Sequence, residues 1–460
     1  MLKGIPFPHW FLFIFDSIKT SKMHESTPSA KSRGRIWQTA SNLILHLHPA
    51  RVPAEAIRFN RTLGLGGISA LLVMLQILTG FLLKFQYIPS VDKAYLSINF
   101  LQENLVFGRL IRNFHHWSGQ FLLVITAFHL ARIIFTSAYF PPRKANWYIG
   151  LFLFITVLLM CFTGYLLPWD QLSYWAVTVS GSMLDYIPLA GKFIKLQFFG
   201  GNQVSQATLM NFYNFHTGVL PVVLVILMAY HFWKVRKANG IALPAPQGPG
   251  MKRETVPVIP PLVVKELVTG LVVIAFLLVF SLLVNAPLLE KANPSISPNP
   301  AKAPWYFMGI QELIVHFHPF FSVFLVPAVL ITGFFLIPLH GQSPVIQGTW
   351  FGSPKTSFIM VRTLIFTCVF VTVWIVADEY LIQFNQWLPG IPYWVSEGLL
   401  PFLVISTLLS FGGKIILNRY RMAYHELIMN GFVFILTAYF ILMMTGIFFR
   451  GPGMELIFPI

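Results

Sequence analysis

The chain has 460 residues, of which 56% are hydrophobic and only 10% charged. That balance excludes a soluble globule and points to a polytopic membrane protein. The net charge of +16 does not signal nucleic acid, because the basic residues lie in the loops between apolar runs, where they set topology.

The first apolar run, Trp10 to Phe15, is too short for a cleavable signal and is interrupted at Asp16. It reads as a helix lying in the membrane interface. Nine apolar runs follow, near 63–87, 113–136, 147–168, 212–235, 267–286, 321–340, 358–378, 398–416 and 428–449. Each is long enough to span a bilayer. The N-terminal tail and the 2–3, 4–5, 6–7 and 8–9 connections hold most of the 32 Lys and Arg residues. The N-terminus is therefore expected on the cytoplasmic side. In the loop 169–211, Ser173–Leu184 and Phe193–Phe199 read as helices along the outer surface. The segment 237–262 is rich in Pro and Gly and reads as a linker. The loop 287–320 ends in the amphipathic KAPWYFMGIQELIVHFHPFF. The expected fold class is all-α, a polytopic transmembrane helical protein with an N-terminal four-helix bundle. The expected divisions are a tail (1–62), a four-span bundle (63–236), the linker (237–262), a three-span part (263–380) and two further spans (381–460). Cys161 and Cys368 lie within apolar runs and read as packing residues. No Cys-x-x-Cys-His occurs, and two isolated cysteines cannot hold an iron–sulfur cluster.

Histidine inside a bilayer is costly and tends to be functional. The second span carries His115 and His129, 14 residues apart; the fourth carries His216 and His231, 15 apart. On regular helices these spacings correspond to net rotations of roughly −40° and +60°, and to about 21 and 22 Å along the axis. Each span thus shows one imidazole near either membrane surface. Gly66 and Gly80 in the first span, and Gly150 and Gly164 in the third, repeat the 14-residue spacing. Glycine lets a backbone approach where a side chain would clash. The pattern reads as two bis-histidine b haems, His115 with His216 near the outer surface and His129 with His231 near the inner one. The irons are expected roughly 20 Å apart. Arg112 and Arg132 flank the ligands of the second span and suit haem propionates. Interfacial snorkelling is their alternative. His116 lies about 100° off the ligand face and reads as a rim or propionate contact.

With those residues in place, the chain resembles cytochrome b of the bc-type quinol–cytochrome c oxidoreductases, over roughly residues 55–380. The resemblance rests on the two histidine pairs, the four glycines, GYLLPWDQLSYWAV at 164–177 and GGNQVSQATLMNFYNFH at 200–216. The His-x14-His pair and the PWDQLSYWAV run are more similar to the chloroplast-type branch, whose protein is split near the 237–262 segment; here the halves are fused. In that branch a cysteine attaches an extra c-type haem. The corresponding position is Gly64 here, so no covalent c-type haem is expected. The family's Pro-Glu-Trp-Tyr tetrad reads Ala303-Pro304-Trp305-Tyr306, and its glutamate is gone.

The resemblance implies quinol oxidation at the outer side, with one electron passing to a Rieske iron–sulfur protein and then a c-type cytochrome. The other electron crosses the membrane through the two haems to an inner quinone site, with proton translocation. It further implies a homodimeric complex in an energy-transducing membrane, in a bacterium the cytoplasmic membrane, drawing on the quinone pool and surrounded by membrane lipid. Trp305, Tyr306, Tyr165 and Phe162 would line the quinol pocket. Quinol oxidation needs proton acceptors. Glu312, two helical turns past Trp305, is proposed to replace the missing glutamate, against a structural carboxylate as its alternative. His316 and His318 read as interfacial. Lys234 and Arg236 are the only inner-site candidates. Two other classes stay open. One is a dihaem anchor linking quinone to a peripheral dehydrogenase or reductase without bifurcation. The other is a haem-free transporter that uses its histidines for protons.

Overall fold

In the computed structural model the described residues are 49–246, 252–339 and 347–457. The chain divides at Ala50, and the fold below is that of the unit Arg51–Ile460. The Trp10–Phe15 segment and most of the 1–62 tail lie outside the described residues.

Among the described residues nine helices are long and apolar enough to cross a membrane, and they correspond one by one to the nine runs. The first is α1 (Leu65–Lys84). A helix not anticipated from sequence, α2 (Ala94–Asn104), leads into α3 (Gly108–Phe135) and α4 (Lys144–Leu166). The two expected surface helices are α5 (Gln171–Met183) and α6 (Gly191–Phe199). Asp170 starts α5 by accepting a hydrogen bond from the Ser173 amide at 2.9 Å. The fourth span is α7 (Gln206–Lys237). The second half holds α8 (Pro261–Leu283), the short α9 (Met308–His316), α10 (Phe320–Leu339), α11 (Pro354–Tyr380), α12 (Val395–Tyr420) and α13 (Tyr424–Phe448).

In lipid the apolar surface gives no net drive to helix association, so van der Waals packing and polar ties hold the spans together. α1 lies along α3, and α4 along α7; α3 also meets α4 and α8. Their inner faces supply one core: Leu72 and Val73 from α1, Phe114 and Leu122 from α3, Val157 from α4, Leu224 from α7 and Leu277 from α8, closed by Tyr306. The amide of Asn113 donates to Ser281 O at 2.9 Å and its carbonyl accepts from the Ala286 amide at 2.9 Å, tying α3 to the end of α8. In the second half, α9 and α11 both pack on α13.

Two details depart from the expected pattern. The 237–262 segment, read as a linker, carries a short strand that the sequence reading did not include: β2 (Thr255–Pro257) pairs antiparallel with β1 (Arg51–Pro53) just before the first span. Arg143, between α3 and α4, donates to the carbonyls of Ala238, Gly240 and Ile241 at the end of α7. These connections therefore gather at one end of the molecule, as segments on a common membrane side must. The second departure is three wide π turns, at Phe215–Val219, Phe320–Leu325 and Val395–Leu399. Each lies just before a proline: Pro221, Pro327 and Pro401. A proline inside a helix has no N–H and its ring presses on the carbonyl four residues back. An i→i+5 turn opens the helix there and relieves the clash.

Candidate functional site

The four intramembrane histidines meet as two pairs. The ring centroids of His115 and His216 are 6.2 Å apart with planes at 81°. Those of His129 and His231 are 6.4 Å apart at 72°. An imidazole nitrogen sits about 2 Å from a bound transition metal. Two such bonds and two ring half-widths of about 1.1 Å span about 6.3 Å, so the separation within each pair leaves room for one metal between the rings. No group of three or more His, Cys, Asp or Glu able to hold a metal ion occurs among the described residues. Two imidazoles would supply only part of a metal's ligand set, and a group bringing its own donors, as a porphyrin does, would supply the rest.

The π turn explains how a 15-residue spacing can match a 14-residue one. The Leu220 amide bonds to Phe215 O, skipping the carbonyl of His216. One extra residue is thereby absorbed just inside the ligand. His216 and His231 then take the same relative rotation as His115 and His129, instead of the offset that a regular helix would give.

Each of the four glycines lies against the imidazole of a different histidine. A Cβ on Gly164 would stand 2.6 Å from His216 Cε1; on Gly80, 3.2 Å from His115 Cε1; on Gly66, 3.4 Å from His129 Cε1; on Gly150, 3.7 Å from His231 Cε1. These contacts are with the imidazole rings themselves, so the glycines let α1 close on α3 and α4 on α7 over them.

Neighbouring hydroxyls fix the outer tautomers. Thr79 gives its proton to Leu75 O at 2.7 Å and Thr163 gives its own to Leu159 O at 2.8 Å. Their oxygens are thus left to accept from His115 Nδ1 at 2.9 Å and from His216 Nδ1 at 3.2 Å. Met160 O, which can only accept, lies 3.1 Å from the same His216 nitrogen. With Nδ1 protonated, Nε2 carries the lone pair a metal needs. The inner pair differs: the buried Nδ1 atoms of His129 and His231 have no hydrogen-bond partner among the described residues.

Arg112 and Arg132 are both buried, at 7% and 4% exposure. Arg112 donates to Gln102 Oε1 at 2.6 Å and to the carbonyls of Ala286 at 3.0 Å and Pro287 at 2.6 Å. Arg132 donates to Arg61 O at 3.3 Å, with Arg143 near enough to repel it. Neither has a carboxylate within ion-pair distance among the described residues. Asp170 acts on Arg112 only from beyond that distance; a buried cation without a close counter-ion is costly, and a propionate would supply one. His116 meets Trp117 edge-on at 4.8 Å.

Beside the bundle, Trp305 Nε1 donates to Gln120 Oε1 on α3 at 2.7 Å. The Tyr306 hydroxyl is buried and unpartnered among the described residues. Burial pushes that phenol well up, and Cys161 and Tyr165 nearby add to the rise. Phe307 meets Phe162 edge-on at 5.7 Å. Tyr306 thus lies against Trp305 and near Tyr165, and Phe162 meets the same turn through Phe307. Glu312, on the helix that follows, is fully buried and held by Arg450, whose Nε and Nη2 reach Oε1 at 3.0 and 2.7 Å. His316, expected at the interface, is buried beside it, while His318 lies half-buried between Tyr186 and Tyr393. Lys234 stacks over Trp233 at 5.0 Å. The Glu312–His316 spacing of four residues was the available sequence signal; Arg450 gave none.

A family model described as Cytochrome b/b6/petB matches residues 53–239. Cytochrome b6 of Heliomicrobium gestii is 37% identical over 197 residues, covering 43% of this chain and 90% of that protein. Cytochrome b6 of Tupiella akineta is 39% identical over 180 residues, covering 39% of this chain and 83% of that protein. A solved chain titled hyperthermophilic respiratory Complex III superposes with a TM-score of 0.63 at 23% identity, over 79% of this chain and 92% of that one. That likeness is one of fold and extends into the second half, beyond the reach of the b6 relatives.

Proposed function

The chain belongs to the cytochrome b/b6 family, and from that premise we propose that it is the dihaem subunit of a bc-type quinol–cytochrome c oxidoreductase. Family membership implies b-type haem in an integral membrane protein that transfers electrons. The finer reading is that there are two haems, that quinol is oxidised at the outer end, and that electrons divide between a Rieske iron–sulfur protein and the two-haem path to an inner quinone. A c-type cytochrome, a homodimeric assembly and the divisions at 63–236, 263–380 and 381–460 belong to the same reading.

The observation that carries it is the pair of imidazole couples at 6.2 and 6.4 Å, each ring backed by a glycine. When bound, a bis-imidazole haem passes single electrons through the apolar slab of the membrane. The residues of the chain do the rest. His115 and His216 ligate at the outer end, His129 and His231 at the inner end. Thr79, Thr163 and the Met160 carbonyl hold the outer ligands in the Nδ1-protonated tautomer. Gly66, Gly80, Gly150 and Gly164 let the helix backbones close over the rings. Arg112 and Arg132 neutralise propionates.

Trp305, fixed by Gln120, forms one wall of the quinol pocket, and Tyr165 and Phe162 form the facing one. The unpaired Tyr306 hydroxyl is the hydrogen-bond donor offered to a quinone oxygen there. Glu312 is the proton acceptor in place of the family's missing glutamate.

The test is purification from native membranes with a haem assay and subunit identification. Two b haems per chain and a co-purifying Rieske protein are expected, and His129→Ala or His231→Ala should halve the haem. A colourless protein, or unchanged haem in those variants, would sink the proposal. Two haems without a Rieske protein would favour the membrane-anchor alternative.

A further inference from the structure

Behind the Trp305–Tyr306 turn, five ionisable side chains from three parts of the chain form one buried network. Glu312 and His316 come from α9, Asp378 and Glu379 from the end of α11, and Arg450 from just after α13. Glu312 Oε1 lies 3.1 Å from His316 Nε2, and His316 Nδ1 lies 2.7 Å from Asp378 Oδ2. Both nitrogens of one imidazole are thus bonded to carboxylates, one fully buried and one with a side chain 15% exposed. Arg450 ties Glu312 at 2.7 Å to Glu379 at 2.8 Å and caps its own turn at Met454 O.

We propose that Glu312, His316 and Asp378 form the route by which a quinol proton leaves the outer pocket, with Arg450 as the positioning residue that holds its first member. This rests on the functional reading above and extends it. A carboxylate–imidazole–carboxylate row can accept a proton at one end and release one at the other. Three carboxylates face only one guanidinium and one imidazole, so the cluster carries surplus negative charge and has room for one proton. Its direction is set by exposure, from fully buried Glu312 to partly exposed Asp378.

The step balances without a further reactant. A quinol O–H bond breaks and Glu312 gains the proton. The His316 imidazolium gives its Nδ1 proton to Asp378, which passes it to water. The neutral ring turns over and recovers a proton from Glu312. The second O–H proton follows by the same route once the row has reset, and the two electrons go to the acceptors already named. A carboxylate accepting at each ring nitrogen favours the doubly protonated imidazole, and although burial lowers His316, those hydrogen bonds outweigh it and leave it raised. The groups facing it are Glu312 from its own helix, Asp378 from α11 and Arg450 from the C-terminal segment, with Glu379 bonded to Arg450.

The test uses the purified complex carrying His316→Gln, Asp378→Asn or Asp378→Glu. Quinol-dependent turnover is expected to fall at least tenfold in the first two, within the range of lost acid–base catalysis. The limb of the pH–rate profile that follows the cluster's ionisation should vanish with it. Asp378→Glu should restore most of both, and haem content should not change in any variant. Wild-type rate and profile in Asp378→Asn would overturn the proposal, as would an Asp378→Glu variant no better than Asn. If His316→Gln fails to assemble, the two Asp378 variants at the more exposed end decide alone. Absence of haem from the wild-type protein would instead defeat the functional reading, a separate result.

Discussion

Of the four glycines set against imidazoles, Gly164 lies closest to its partner His216: a methyl group on the glycine would stand 2.6 Å from the imidazole Cε1 and 3.1 Å from both ring nitrogens. The ring cannot retreat freely, because its Nδ1 is held by Thr163 and Met160 on the same helix as the glycine. Gly164→Ala should therefore displace the outer ligand, at an overpacking cost of about 1–3 kcal/mol. Gly150 is the internal control, since a Cβ there meets His231 at 3.7 Å, an ordinary contact. The expected outcome is a haem-to-protein ratio near one for Gly164→Ala and near two for Gly150→Ala. Equal haem contents would refute the cradle.

The hydroxyls behind the outer ligands predict an asymmetry between the two sites. Thr79 and Thr163 accept from the outer imidazoles, whereas the inner Nδ1 atoms lack such partners among the described residues. An accepting partner raises ligand basicity and fixes ring orientation, and its loss typically weakens a metal site about 10–100-fold. Thr79→Val and Thr163→Val should lower outer haem affinity in that range and raise its reduction potential, leaving the inner haem untouched. Potentiometric titration of the two b bands measures both effects. A shift confined to the inner band would contradict the assignment of the pairs.

Pro221 makes a third prediction. Its missing N–H and its ring leave the helix open at Phe215–Val219, which absorbs one residue between His216 and His231. With Pro221→Ala the turn can close into a regular helix, carrying His216 about 100° around the axis relative to His231. The outer haem should then be lost or weakened while the inner one persists. Deleting Val222 in the same variant should restore it, because the surplus residue is gone. Full outer occupancy in Pro221→Ala alone would show that the proline does not set the register.

The spans were readable in advance because long apolar runs carry their own signal, and intramembrane histidines at matched spacing are rare and costly. What the spacing could not convey was the offset between helices. Gly66 and Gly80 match His129 and His115 only once α1 is laid antiparallel along α3. The 15-residue spacing in α7 looked like a mismatch because regular geometry was assumed, although Pro221 was the local sign that it did not hold. The Glu312–Arg450 pair bridges 138 positions, and no periodicity links residues so distant. The four-residue step from Glu312 to His316 was visible, but it gained meaning only when Asp378 and Arg450 closed around it.

That closure gives the last prediction, a window of pH in which the C-terminal segment is held most firmly. Burial raises Glu312, but its bonds to His316 and Arg450 prevail and leave the carboxyl below its ordinary 4.5. A depressed carboxyl contributes stability that is present above about pH 4.5 and lost as pH falls through the folded value. His316 is raised from 6.5, so its contribution is complete below about pH 6.5 and lost as pH rises through the folded value. The cluster is therefore strongest between these limits and weakens on both sides. Cleavage of the segment after α13 by a protease should be slowest near pH 5–6, after correction for the enzyme's own pH dependence. Arg450→Met leaves Glu312 buried without its partner, a change that typically costs about 3–5 kcal/mol. It should speed cleavage at every pH and flatten the acid limb, while haem content stays at the wild-type value because α3 and α7 are not involved. A variant as resistant as the wild type would mean that the buried pair does not hold the segment after α13 to α9.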